Sequence, residues 1–290
     1  MAKEPVPISG RVVAITGGAR GIGRATAVAL AARGARVAIG DLDVELAERT
    51  AAELGGAAVA VALDVTDRES FAEFLAGAER ELGPLDVLVN NAGIMPAGPF
   101  LQESDETARR QMDINVHGVI LGMKLALPGM VARGRGHVVN LASMAGKSGI
   151  PGIATYCGTK HAVIGISEAV RGELRGSGIE LTVVMPAFVN TELISGAATP
   201  RGVKVAEPEE VAEAIAAALE RPRFDAYVPR SAGRIGRVTA LLPRAAREAV
   251  GRALHVDRIL VDIDRNKRAA YEARTTGSTA SDRESEETRA

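Results

Sequence analysis

The sequence predicts an α/β fold: a doubly wound parallel sheet with helices on both faces, forming a single domain followed by a C-terminal helical extension. Three observations predict it. Short β-branched runs recur along the chain, and Ala-rich, Glu/Arg-rich segments with helical spacing separate them. The runs are apolar throughout rather than alternating, as strands covered on both faces are. Strand and helix in strict alternation build a parallel sheet.

In order, the strand-like runs are "RVVAIT" (11–16), "ARVAIG" (35–40), "AVAVALDV" (58–65), "LDVLVN" (85–90), "GHVVNLAS" (136–143) and "IELTVVMP" (179–186). Helical segments fall between them at 21–33, 43–54, 67–82, 105–132 and 155–176. The domain spans 8–230 and contains both cofactor and substrate sites. Residues 231–272 read as one or two basic amphipathic helices, and 273–290 have too little apolar surface to fold and are expected to be disordered.

Composition bounds the function. The chain has 290 residues, 47% of them hydrophobic, which suffices for a real core. With 35 Lys and Arg against 36 Asp and Glu, no overall field attracts nucleic acid or an anionic membrane, and no nucleic-acid partner is expected. A single cysteine, Cys157, excludes an internal disulfide. The histidines at 117, 137, 161 and 255 show no i, i+4 pairing, so no metal site is expected. "MAKEPVPISG" carries an acid and two prolines where a secretory leader is apolar, and the apolar runs fall short of the roughly 20 residues that span a bilayer. A soluble, cytoplasmic protein is the expectation.

The first strand run leads directly into Gly17-Gly18-Ala19-Arg20-Gly21-Ile22-Gly23 and then a helix. A glycine-rich strand-to-helix turn lets backbone approach a pyrophosphate, and the helix N-terminus offers free N–H groups and partial positive charge. The spacing is T-G-x-x-x-G-x-G, so the G-x-G-x-x-G fingerprint is not met literally, and a tight packing turn would look the same. Asp41 follows the second run, where an acid reaches a ribose 2′-hydroxyl and repels a 2′-phosphate. It favours NAD; Arg20, a cation beside the turn, argues for NADP. Asp43 is the better candidate for a cap on the next helix.

With these residues in place the chain resembles the classical short-chain dehydrogenase/reductase family, whose fold is Rossmann-type. The matching motifs occur in the family's order: "TGGARGIG" (16–23), Asp64-Val65, "NNAG" (90–93), Asn115 in "MDINVHG", Ser143 in "NLAS", and Tyr156 with Lys160 in "YCGTK". The resemblance implies that Asp64 and Val65 contact adenine, that Asn91, Ala92 and Gly93 line the adenosine ribose, and that Val189 and Thr191 reach the nicotinamide carboxamide. Ala187 stands where the family has glycine, which leaves the backbone path after the sixth run open. The resemblance also implies that Lys160 holds the nicotinamide ribose, Ser143 hydrogen-bonds the substrate oxygen and Asn115 anchors a water chain. A homodimer or homotetramer is implied in the same way.

The Tyr156–Lys160 spacing has a chemical reading of its own. Hydride transfer at an alcohol carbon requires a proton to leave or reach the oxygen, and bringing a phenol from about 10 to near neutral takes about 4 kcal/mol. A lysine one helical turn away and an oxidised nicotinamide are expected to supply it. Cys157 and His161 lack a partner set and read as packing residues.

Substrate in an open α/β sheet lies beyond the strand C-termini. There the lining would be Ile94, Met95 and Pro96, then Met144 and Ala145, then Phe188, Leu193 and Ile194. This apolar set suggests a steroid-, retinoid- or lipid-like alcohol or ketone; the same residues could instead complete the core. Residues 230–258 hold seven arginines against two acids, with apolar residues at helical spacing. A lid, a subunit contact or peripheral membrane contact through 231–258 would each use such a segment. A non-catalytic dinucleotide sensor would need only the glycine cradle, whereas the four residues Asn115, Ser143, Tyr156 and Lys160 suit an enzyme.

Overall fold

The structure, a computed structural model, describes residues 5–197, 205–253, 260, 261 and 263–276. Seven parallel strands form one sheet: β1 (Val12–Thr16), β2 (Arg36–Asp41), β3 (Ala58–Ala62), β4 (Val87–Asn90), β5 (Gly136–Leu141), β6 (Ile179–Pro186) and β7 (Asp225–Val228). Their order is β3-β2-β1-β4-β5-β6-β7. Val13 pairs with Val37 on one side and Val87 on the other, so the winding direction reverses between β1 and β4. Loops leave the two strand ends in opposite directions there, and a crevice opens beyond them.

The helices between strands are α1 (Gly21–Ala31), α2 (Val44–Glu53), α3 (Arg68–Leu82), α4 (Asp105–Met112), α5 (Gly118–Ala132), α6 (Ala154–Glu173) and α7 (Pro208–Glu220). Helices α2, α3 and α4 begin on side-chain caps, with Asp43, Asp67 and Ser104 accepting from the N–H groups of Leu46, Ser70 and Thr107, and α7 begins on a capping box of Glu207 and Glu210. The expected Asp43 cap is therefore present. Successive β1 residues divide between two cores: Val13 and Ile15 pack with Leu30, Ile215 and Leu219, while Val12 and Ala14 pack with Phe71, Phe74 and Val163. Both faces of the sheet are buried, which is why its strands read as unbroken apolar runs.

Two features depart from the expectation. Strand β7 has no counterpart among the six predicted runs; it is four residues long, starts on Asp225, and is fixed by pairing Val184 with Ala226. Helices α4 and α5 are joined through a π-helical turn, Asp113–His117, into one run over 105–132. That run is long and apolar enough by composition to cross a membrane, contrary to the reading of its broken apolar stretches. It packs on α3, β4 and β5 and brings Asn115 against the loop after β4, so its apolar face is occupied by the sheet.

After β7 come α8 (Arg230–Ala240), α9 (Arg244–Ala253) and α10 (Arg265–Thr276). The extension thus has three helices among the described residues, and α10 crosses the boundary drawn at 272. Residues 277–290 of the expected tail, His255, and 254–258 of the basic segment lie outside the described residues.

A buried histidine sits in the sheet. His137 Nε2 lies 2.8 Å from Thr182 Oγ1, whose own proton goes to the Arg223 carbonyl at 2.7 Å, so Nε2–H donates and the ring is neutral. Burial first, and the Arg11 charge second, depress its pKa from 6.5 to about 3. Below pH 6.5 the unfolded chain takes a proton that the native chain refuses, so this histidine's contribution is complete above 6.5 and is lost as pH falls towards 3. The expected slope is about 1.4 kcal/mol per pH unit. Urea denaturation across that range, wild type against His137→Gln, should show the variant's stability falling less steeply with acid.

Candidate active site

The strand-to-helix turn after β1 is shaped for backbone approach. Gly17 and Gly21 hold φ of 63° and 52°, a region costly for residues with a Cβ. A Cβ on Gly23 would stand 2.1 Å from the Gly17 carbonyl oxygen, so only glycine closes this turn. Asn91 Nδ2 donates to the carbonyls of Thr16 and Gly17, each at 2.9 Å, holding the turn from below. The Asn91 amide is thereby a support for the cradle rather than a free ligand group. Unlike α2, α3 and α4, helix α1 has no side-chain cap, leaving its first N–H groups open to an anion. Ile22 anchors the turn by packing against the core.

Asp41, at the end of β2, accepts from the N–H groups of Ala19 and Asp43, both at 3.1 Å. Its carboxylate therefore faces the glycine turn. Arg20 is ion-paired with Asp43 and lies 3.9 Å from Glu192, so its charge is already opposed by two acids. Farther along the same wall stand Asp64, whose Oδ1 accepts from Thr66 N–H at 2.8 Å, and Val65. These residues line one cavity of about 1140 Å³ that continues past Asn91, Ala92 and Gly93 to Val189 and Thr191. That exceeds the span usual for one drug-sized ligand and leaves room for a dinucleotide beside a substrate. Ala187 N–H donates to the Val228 carbonyl at 2.8 Å, prolonging the β6–β7 ladder, which is how the chain accommodates alanine there.

Deeper in, four side chains converge. Asn115, fully buried in the π-helical turn, accepts from Ile94 N–H and donates to Ile94 O, both at 2.8 Å, and reaches Thr159 Oγ1 at 3.2 Å. A Cβ on Gly93 would lie 3.1 Å from Asn115 Oδ1 and 3.6 Å from Lys160 Nζ, which places the lysine at the same floor. Lys160 donates to Leu141 O at 2.8 Å, and its ammonium lies 5.5 Å from the centre of the Tyr156 ring. Ser143, just after β5, accepts from Ala145 N–H at 3.1 Å, donates to Pro186 O at 3.4 Å, and stands near enough to the Tyr156 phenol to lower its pKa. Cys157 and His161 are engaged elsewhere: the thiol contacts the Ile150 backbone, and His161 Nδ1 donates to Cys157 O at 2.8 Å.

The electrostatics differ from the expectation in sign. Burial drives the Tyr156 phenol well above its ordinary value, with Ser143 pulling it down and Tyr271 and Cys157 adding to the rise. Burial likewise lowers Lys160 from 10.5 to about 8. Spacing alone suggested a lysine-lowered phenol; in the protein by itself desolvation outweighs that attraction and pushes both groups towards neutrality.

Of the residues expected to form the substrate wall, all but Pro96 face one cavity. Ile94, Met95, Met144, Ala145, Phe188, Leu193 and Ile194 all line the cavity. Sequence reading missed the far end of the chain: Leu260, Tyr271, Arg274 and Thr275 also line it, brought there by α10. It also missed Arg109, Arg110 and Asp113 on the opposite rim, which no local motif marks.

A lysine held near 8 instead of 10.5 is a strained charge, costing about 3 kcal/mol at neutral pH. Without cofactor, Lys160→Met is therefore expected to be more stable than wild type by about 1–3 kcal/mol, after allowance for the lost bond to Leu141. Thermal and urea unfolding at pH 7 measure it.

Comparison with known proteins gives the family and the fold. The sequence model described as short chain dehydrogenase matches residues 11–201. Sorbitol dehydrogenase of Cereibacter sphaeroides is 41% identical over 186 residues, 64% of this chain and 73% of that protein. "Inactive 2-(S)-hydroxypropyl-CoM dehydrogenase 2" of Xanthobacter autotrophicus is 48% identical over 156 residues, 54% of this chain and 68% of that one. The match to glycine betaine reductase ATRR of Emericella nidulans, 36% identical, covers 74% of this chain but only 18% of that much longer protein. Among solved structures, a short chain dehydrogenase/reductase from Burkholderia phymatum in complex with NAD superimposes with a TM-score of 0.74 at 26% identity, covering 81% of this chain and 94% of that one. The chain belongs to the short chain dehydrogenase family.

Proposed function

We propose that the protein is an NAD-dependent oxidoreductase acting on the carbinol or carbonyl carbon of an apolar, steroid-, retinoid- or lipid-like alcohol or ketone, with Tyr156 as general acid/base. The observation that carries this reading is the convergence of Ser143, Tyr156 and Lys160 on the wall of the cavity that the glycine turn opens into, with Asn115 buried directly behind Gly93 and Ile94. Three features support NAD over NADP: Asp41 faces the turn, Arg20 is already paired with acids, and the Burkholderia phymatum relative was solved with NAD. An apolar substrate is supported by the cluster of Met95, Ala145 and Ile153 with Phe188, Leu193 and Ile194 around Tyr156.

NAD, when bound, accepts or supplies the hydride. Ser143 Oγ–H orients the substrate oxygen; the Tyr156 phenolate takes the carbinol proton during oxidation, and the phenol gives it back during reduction. Lys160 would hold the nicotinamide ribose and, as an ammonium, stabilise the Tyr156 phenolate, whose formation desolvation by itself disfavours. Asn115, with both Ile94 backbone groups in hand, keeps the floor of the site in register.

Following NADH and NADPH absorbance against a panel of steroid, retinoid and aliphatic alcohols together with polyols tests the reading. Wild type should oxidise apolar members with NAD, and Tyr156→Phe should lose about 100-fold or more in turnover while still binding NADH. Turnover of polyols alone would overturn the apolar assignment. Because one relative is described as inactive, NAD binding with no turnover of any member would favour a non-catalytic dinucleotide sensor.

The extension supports a second proposal, peripheral contact with an anionic bilayer. On α8 and its end Ile235, Val238 and Leu241 are 62%, 64% and 86% exposed, beside Arg230, Arg234 and Arg244. Exposed apolar residues interleaved with arginines suit an interfacial helix. The protein should co-sediment with phosphatidylserine vesicles and not with phosphatidylcholine vesicles, and Ile235→Asp/Val238→Asp should remain in solution. A dimer that dissociates in the variant, with no vesicle binding by wild type, would make this face a subunit contact instead.

A further inference from the structure

Helix α10 returns the end of the chain to the substrate side of the sheet and is bound there through buried polar groups. Arg268 is fully buried, and its guanidinium donates to the carbonyls of Met95, of Leu193 at 2.6 Å and of Ser195 at 3.3 Å. It also donates through Nε to Glu272 at 3.0 Å and stacks 4.7 Å from the centre of the Tyr271 ring. One side chain thus ties the loop after β4 to the loop after β6. Asp264 N–H adds a bond to Gly196 O at 2.9 Å, and Ser195 Oγ donates to Lys267 O at 2.9 Å.

Tyr271 is the residue this staple presents to the cavity. It is 5% exposed, lines the pocket, and its hydroxyl oxygen accepts from Met95 N–H at 2.8 Å. A phenol hydroxyl can accept and also donate one proton. Among the described residues no acceptor takes that proton. The neighbouring site residue is Tyr156, which lines the same cavity and lies close enough for a charge on Tyr271 to raise its pKa. Two phenols therefore face one apolar chamber, one assigned to the reacting oxygen and one with a proton to offer elsewhere. Burial holds Tyr271 at about 12, so it stays protonated throughout the neutral range.

We propose that Tyr271 is a specificity-determining residue: its O–H donates to a second acceptor oxygen on the substrate, distinct from the oxygen handled by Tyr156. The preferred substrate is then an apolar alcohol or ketone bearing a further hydroxyl, ether or carbonyl oxygen. A buried donor left without a partner penalises an analogue that lacks the acceptor, whereas a purely apolar chamber could not discriminate so strongly. The inference rests on the oxidoreductase reading above and specifies the substrate for it.

The test compares matched pairs such as 4-methoxycyclohexanol with 4-ethylcyclohexanol, extended to hydroxylated and plain steroid alcohols, in wild type and Tyr271→Phe. The expected result is a kcat/KM preference of about tenfold or more for the acceptor-bearing member of at least one pair in wild type. In Tyr271→Phe that preference should disappear, so that the ratio of kcat/KM within each pair approaches one. Phenylalanine keeps the ring but also removes the acceptor for Met95 N–H, so a structural role alone would lower both members alike. Equal loss on both, or no preference in wild type, would overturn the inference while leaving the oxidoreductase reading standing. If no member is turned over, and none raises the melting temperature of the NADH-loaded protein, both fail together.

Discussion

The bond pair between the Asn115 carboxamide and the backbone of Ile94 is the constraint on which the site depends. A side chain here does what a neighbouring strand would do, accepting one N–H and donating to one C=O of the same residue. Both partners are buried, so breaking the pair strands polar groups at about 1–3 kcal/mol each. The loop after β4 therefore cannot drift, and Gly93, the floor beneath Lys160, stays fixed with it. The π-helical turn is the local consequence: π-bulges open a helix where a side chain must leave the regular path, and this one releases Asn115 at mid-helix. Thr159, the third partner, extends the constraint into α6, one residue from Lys160.

Around that fixed point the protein holds an acid and a base in their uncharged tendencies. Tyr156 and Lys160 are both buried, and both are driven by desolvation away from the ionised pair that proton transfer requires. The lysine spends one donor on Leu141 O and stands beside the ring rather than on the hydroxyl, which limits its pull on the phenol. Desolvation also makes any added opposite charge count for more, because the low dielectric that penalises the phenolate strengthens its attraction to a cation. A site of this kind is quiet until a positive group enters beside Tyr156, and the cavity leading from the glycine turn is the route by which one would arrive.

Legibility followed the range of the interactions. The cradle, the Asp43 cap and the first six strands depend on residues near one another in sequence, and their spacing exposed them. Strand β7 depends on pairing with β6, and a four-residue run opening on aspartate carries little signal of its own. Arg20 looked like a free cation because Asp43 and Glu192, its partners, come from other loops. Helix α10 did show a helical face, since Arg268, Tyr271, Glu272 and Thr275 recur at i, i+3, i+4 and i+7 and are all buried. Its face is polar, however, and a stripe recognised by hydrophobicity alone passes over it. The phenol's sign was also beyond sequence, because spacing reports the attraction between two charges and not the water each has lost.

The way α10 is attached decides which of its contacts matters. An acid–base chain runs along the rim from Arg20 through Glu192 to Arg274, linking the cofactor turn to the substrate roof. Each of its side chains is between 28% and 53% exposed, and such pairs contribute about 0–1 kcal/mol. Arg268 is the opposite case: its charge is fully buried and met by three carbonyls and a carboxylate, so removing any of them leaves a charge that water cannot reach. Net stabilisation from so buried a group is small, because desolvation offsets much of the attraction; what it confers is position, since few geometries satisfy four acceptors at once. The roof over Tyr156 is therefore set by Arg268, and the rim chain can exchange partners without moving it. Tyr271, stacked on that guanidinium, inherits its fixity and presents its hydroxyl to the chamber at a defined point.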